Sequence, residues 1–291
     1  MVKARNEKLK HIINWANSNH EIRAVLLTSS LASAIAPVDK FSDLDIELVF
    51  EDLTAALKDD SWLSEFGRVI AKVAESEEAF DGKHAMRMVL YEDYVKVDFK
   101  LYSILEFQKE AAKSELPEDW DVGYKVLIDK DRLCKNLKPP TYQSVIIKKP
   151  GAEKFAQVMN DFWWDMTYVA KCLARDELFY AKFMTENMMR NDYLVPMIEW
   201  YISLSHDWKI TTNKHGRFFK KYLSSELWKK IEATFASAEI QDNWRALFAY
   251  ADIAHELGTE LAEKLTYQYP VLLEKDIRNY LNAIKNHTEL K

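Results

Sequence analysis

Apolar positions follow two rhythms along this chain, and the rhythm changes near its midpoint. Residues 7–17 open with Leu9, Ile12, Ile13 and Ala16 at helical spacing. Short apolar runs at residues 23–27 and 43–50 have the length of strands. Residues 53–74 again read as helical, with an interruption near Gly67. Residues 85–90 and 94–101 then read as a hairpin joined through Glu92-Asp93. In its second strand Val95, Val97, Phe99 and Leu101 share one face, while Lys96, Asp98 and Lys100 share the other. Residues 126–129 supply a further short strand.

Lys138-Pro139-Pro140 and Lys149-Pro150-Gly151 bracket the expected boundary, because each interrupts regular structure. Beyond it the helical period takes over, at residues 152–174, 178–205, 214–236 and 241–264. The pattern therefore predicts an α+β protein: a mixed β-sheet domain with flanking helices over residues 1–147, then an all-helical bundle over 148–291. A ligand is expected in the cleft between them.

Composition narrows the partners. With 291 residues, 48% of them hydrophobic, the chain can bury two cores. A formal charge of −6 argues against a protein that grips nucleic acid mainly through phosphates. No apolar run approaches membrane-spanning length, and the first residues lack the apolar core of a secretory signal. Cys134 and Cys172 show no metal-ligand spacing, so a reduced, cytoplasmic protein is expected, with neither nucleic acid nor membrane as partner.

The candidate chemistry lies between residues 26 and 50. An apolar run ends at the hydroxyl pair Ser29-Ser30, and Ser42-Asp43-Leu44-Asp45-Ile46 opens the next. On a strand, Asp43 and Asp45 leave the same face and repel each other unless a cation intervenes. A hydroxyl turn followed by an Asp-x-Asp strand suits a metal-bound triphosphate. The plain alternative makes Ser29 a helix cap and leaves the aspartates solvated, and Asp-x-Asp alone favours it. On composition alone, Asp98 between two lysines reads more readily as a surface cross-strand ion pair.

Taken together, these residues resemble the polymerase-β-type nucleotidyltransferases. More narrowly, the chain resembles the aminoglycoside 6-adenylyltransferases, the streptomycin-modifying branch. The resemblance runs nearly end to end. It is carried by Phe41-Ser42-Asp43-Leu44-Asp45-Ile46, Val97-Asp98, Val126-Leu127-Ile128-Asp129, Asp161-Phe162-Trp163, Leu173-Ala174-Arg175-Asp176-Glu177 and Tyr269-Pro270. It implies transfer of AMP from ATP to an aminoglycoside hydroxyl, with two Mg2+ ions held by Asp43, Asp45 and Asp98, and Asp98 as general base. Ser29, Ser30, Lys171, Arg175 and Lys214 become nucleotide ligands. Lys171 and Arg175, four residues apart, are expected on one helix face.

A polycationic drug needs carboxylates and aromatic walls, for which Asp161, Trp164, Asp165, Glu177 and Trp200 are the candidates. A monomer is expected. One departure stands out: the family's turn is normally Gly-Ser-Arg, and here it is Ser29-Ser30-Leu31. Loss of the glycine and of the guanidinium implies weaker nucleotide binding. The alternatives are another small acceptor, or a nucleotide-binding homologue without transfer.

Overall fold

A computed structural model describes residues 1–289 and separates the chain into two compact units, Met1–Val145 and Ile146–Lys291. The first opens with helix α1 (Val2–Ser18), whose Ile12 and Ala16 are fully buried. Six strands follow: β1 (Ile22–Thr28), β2 (Leu44–Phe50), β3 (Val69–Glu75), β4 (Ala85–Tyr91), β5 (Lys96–Ser103) and β6 (Tyr124–Asp129). They form one sheet in the order β3-β4-β5-β2-β1-β6. Only β2 and β5 run parallel; every other neighbouring pair is antiparallel. Short helices α2 (Leu53–Lys58), α3 (Ile104–Ala111) and α4 (Glu118–Asp121) complete the unit.

Alternation gives the sheet two unlike faces. Val25, Leu27, Ile46, Val97, Phe99 and Leu101 belong to a core with Ile12 and Ala16 of α1. Ala24, Leu26, Val49 and Tyr102 pack on the other face with Phe107 and Trp120 of α3 and α4. Asp45 and Asp98 also leave by this second face.

The expected helix over 53–74 is corrected. It stops at Lys58, a 3₁₀ turn covers Asp60–Phe66, and the rest is strand β3. Gly67, at φ +125°, turns the chain there, and Val69 and Val73 pair with β4 at the sheet edge. Ile70 and Val73 stay exposed on this edge, so the period-two signal that would have revealed the strand is missing.

The second unit contains α5 (Ala152–Ala174), α6 (Leu178–Lys182), α7 (Val195–Leu204), α8 (Phe219–Tyr222), α9 (Ser225–Glu232), α10 (Ile240–Leu265) and α11 (Val271–Glu289). Phe155, Met159, Phe162 and Met166, three or four residues apart on α5, meet Leu247, Tyr250, Ala251 and Leu257 of α10 in one core. Gly258 permits the contact: a Cβ there would lie 2.9 Å from Met159 Sδ of α5 and 2.7 Å from the Tyr269 ring. Two expected helices are interrupted. Residues 178–205 include a π-helical stretch, Phe183–Leu194, and residues 214–236 break where Asn213, His215 and Gly216 take positive φ. The last helix, α11, had no counterpart among the sequence expectations. Among the described residues no helix is long and apolar enough to cross a membrane.

Candidate active site

The parallel pairing of β2 with β5 sets the geometry. Its register places Leu44 beside Val97, Asp45 beside Asp98 and Glu47 beside Lys100. Leu44 and Val97 enter the α1 core, so the two aspartates emerge together on the opposite face. Asp43 stands one residue before the ladder rather than within it, a correction to the expected strand start. The Lys96 ammonium joins the group, 2.7 Å from Asp98 Oδ2 and 3.4 Å from Asp43 Oδ2.

The site holds surplus negative charge. Burial, then repulsion by Asp98 and by Asp43, pushes the Asp45 carboxyl up to about 6, against the pull of Lys96 and the Ser29 hydroxyl. Asp98 Oδ1 is buried without a hydrogen-bond partner. Among the described residues no three His, Cys, Asp or Glu side chains already surround a common point as metal ligands. The donor chemistry still fits a hard divalent cation: every donor is a carboxylate, one oxygen is orphaned, and like charges crowd each other.

The hydroxyl turn is a 3₁₀ turn, Ser29–Leu31, entered from the end of β1. Ser29 has φ +59°, in the left-handed region where glycine is the unstrained residue. It is therefore the first residue of the turn and not its cap. Leu31 packs against the α1 side of the core, which accounts for an apolar residue at that position. The turn is held from behind by β6 and the residue before it. Lys125 Nζ donates to the Leu31 carbonyl at 3.0 Å, and a Cβ on Gly123 would come within 2.7 Å of the Ser33 backbone.

In the helical unit, α5 carries a polar stripe along its exposed side. Asp165 accepts a hydrogen bond from the Tyr193 hydroxyl at 2.9 Å. Burial and the neighbouring Asp161 and Asp192 raise its carboxyl despite that bond. Trp164 is 59% exposed, its ring edge-on to Tyr168, and the Lys171 ammonium lies over the Tyr168 ring. Asp161 accepts from Asn160 beside it.

Three further candidates are placed as follows. Helix α5 ends at Ala174 with Arg175 as its cap, the Arg175 amide donating to the Lys171 carbonyl at 3.2 Å and its guanidinium 3.9 Å from Glu177. Trp200 packs in the helical core at 7% exposed, so it is not a free pocket wall. Lys214 sits in a separate short turn, Lys214–Gly216, capped by Asn213.

A family model described as streptomycin adenylyltransferase matches residues 2–284. The chain belongs to that family. Among its relatives, the aminoglycoside 6-adenylyltransferase of Campylobacter jejuni is 30% identical over 286 residues, covering 96% of this chain and 95% of the relative. That of Bacillus subtilis (strain 168) is 29% identical, covering 99% and 98%. That of Staphylococcus aureus is 26% identical, covering 96% and 98%. A crystal structure of an aminoglycoside 6-adenyltransferase from Bacillus subtilis covers 97% of this chain and 98% of its own, at 26% identity and a TM-score of 0.47.

Two residues farther along β2 and β5, this member of the streptomycin adenylyltransferase family pairs Glu47 with Lys100, a buried acid that sequence reasoning missed. Glu47 is buried with both carboxylate oxygens lacking hydrogen-bond partners, and burial pushes its carboxyl up to about 8 against the pull of Lys100. Lys100 Nζ lies 3.9 Å from Glu47 and is hydrogen-bonded to Asp119. The signal was present only as period-two alternation, which places Glu47 with Asp45 and Lys100 with Asp98. Charged residues at such positions ordinarily read as solvated.

Proposed function

We propose that this chain transfers AMP from ATP to a hydroxyl of an aminoglycoside, with streptomycin the leading acceptor. The observation that carries the reading is the β2–β5 register, which seats Asp45 beside Asp98, with Asp43 joined to Asp98 through Lys96. In the reaction the acceptor oxygen attacks the α-phosphorus in line. The bond to pyrophosphate breaks, and the hydroxyl proton passes to a carboxylate, for which Asp98 with its unpartnered Oδ1 is the base.

Asp43, Asp45 and Asp98 would hold Mg2+, which neutralises triphosphate charge and stabilises the leaving pyrophosphate. Ser29 and Ser30 offer hydroxyls to the phosphates, and Lys171, Arg175 and Lys214 offer positive charge. Asp161, Asp165 and Glu177 would pair with the drug's cationic groups, and Trp164 with Tyr168 would form a flat wall. We place the enzyme in the cytoplasm as a monomer.

The left-handed Ser29 supports a working nucleotide turn, since the backbone keeps a glycine-like conformation without the glycine. Leu31 motivates the second reading, nucleotide binding without transfer. Mass spectrometry of streptomycin incubated with the protein, ATP and Mg2+ separates them. The proposal expects a gain of one adenylyl group; ATP binding with no modified aminoglycoside would favour the second reading.

A further inference from the structure

We propose that Arg5 is a positioning residue for Asp43, acting through the peptide bond that joins Ser42 to Asp43. The inference rests on the reading of Asp43, Asp45 and Asp98 as a divalent-cation site. Of those three, Asp43 alone lies outside the β2–β5 ladder, so neighbouring strands do not fix its backbone. Something else must hold it.

Arg5 lies on α1 and is 7% exposed. Its Nη1 donates to the Asp39 carbonyl at 2.8 Å and to the Ser42 carbonyl at 2.7 Å. Between those carbonyls the chain is closed on itself. The Asp39 amide donates to Ser42 Oγ at 3.0 Å, the Phe41 amide to Asp39 Oδ1 at 2.8 Å, and the Ser42 amide to the Asp39 carbonyl at 3.4 Å. One guanidinium nitrogen therefore clamps both ends of a compact turn, and its second acceptor is the carbonyl immediately before Asp43. That carbonyl shares a rigid plane with the Asp43 amide. Pinning it limits the backbone rotation that would swing the Asp43 carboxylate away from Asp98 and Lys96.

Burial of a guanidinium is costly unless it is well hydrogen-bonded, and here its Nε remains buried without a partner. The neighbouring buried cation gives a contrast. Lys8 binds the Phe66 carbonyl at 2.6 Å and Asp93 at 3.1 Å, fastening loops that carry none of the candidate ligands. Arg5 fastens the loop that delivers one.

Equilibrium Mn2+ binding to the full chain, without ATP or drug, tests the idea alongside amide hydrogen exchange at residues 39–43. Arg5→Met should weaken Mn2+ binding about tenfold, as loss of an outer-shell partner does, and should quicken exchange at Ser42. Arg5→Lys, which keeps a donor, should recover most of the affinity. In an Asp43→Asn background, Arg5→Met should cause no further loss of Mn2+ binding. Unchanged binding in Arg5→Met, or an equal loss in both backgrounds, would overturn the inference alone. A wild-type protein that binds no Mn2+ would instead overturn the cation-site reading and this inference with it. Should Arg5→Met fail to fold, Arg5→Lys in the two backgrounds gives the same comparison on a smaller scale.

Discussion

The sheet unit and the helical unit position their polar side chains by different means. In the first, Asp45 and Asp98 are held by ladder register, Asp43 by a clamped turn, and the buried Glu47 faces Lys100, which is in turn bound by Asp119. Moving Asp45, Glu47, Asp98 or Lys100 requires moving a strand. In the second, Asp161, Trp164, Asp165 and Lys171 stand on the outward side of one helix, tied only by contacts such as Tyr193 to Asp165. Under the proposed function the contrast would match a division of labour: chemistry needs fixed donors, whereas recognition of a polycation tolerates adjustable ones.

Replacement within the ladder should have the largest effect. Asp45→Asn is expected to lower pyrophosphate release about a thousandfold, several kcal/mol of barrier. It should also leave the melting temperature at pH 7.5 equal or higher, because it removes a charge crowded by Asp98 and Asp43. A lower melting temperature with activity retained would erase the contrast between the units. On the helical side, Asp165→Asn is expected to raise the drug's KM about tenfold while kcat changes little, the signature of lost ground-state binding. A collapse of kcat instead would place Asp165 with the reacting groups.

Parts of the sheet unit were illegible in the sequence, for physical reasons. The alternation in β5 was plain because one face is fully buried. The pairing of Asp45 with Asp98 was not, since nothing local encodes which strands run parallel; resemblance suggested it. β3 was misread because an edge strand exposed on both sides has no period. Arg5, Lys8 and Glu47 drew no reading, as buried charged residues look like solvated ones in a bare sequence.

Two smaller effects sharpen the picture of the sheet unit. Ser29→Gly should relieve left-handed strain, stabilising the protein by about 1 kcal/mol and lowering the KM for ATP severalfold. An unchanged KM would detach this turn from the nucleotide. Asp121 closes the end of the unit, accepting from the Thr141 amide and hydroxyl and from the Ser144 amide. Burial pushes its carboxyl up, but these bonds prevail and hold it down at about 2. Because the folded value lies below the ordinary one, this stabilisation is complete above about pH 4 and fades as pH falls toward 2. The stability gap between wild type and Asp121→Asn should therefore narrow over that range in urea titrations. A gap independent of pH would exclude the carboxylate as its source.

With nucleotide present, a divalent cation should bind among the three carboxylates of the sheet unit. Anomalous scattering from crystals grown with Mn2+ and a non-hydrolysable ATP analogue reads this directly. The predicted peak lies among the carboxylates of Asp43, Asp45 and Asp98, with Lys96 displaced from its bridge between Asp43 and Asp98. Bound nucleotide with Lys96 still bridging those two residues, and the metal elsewhere, would contradict it.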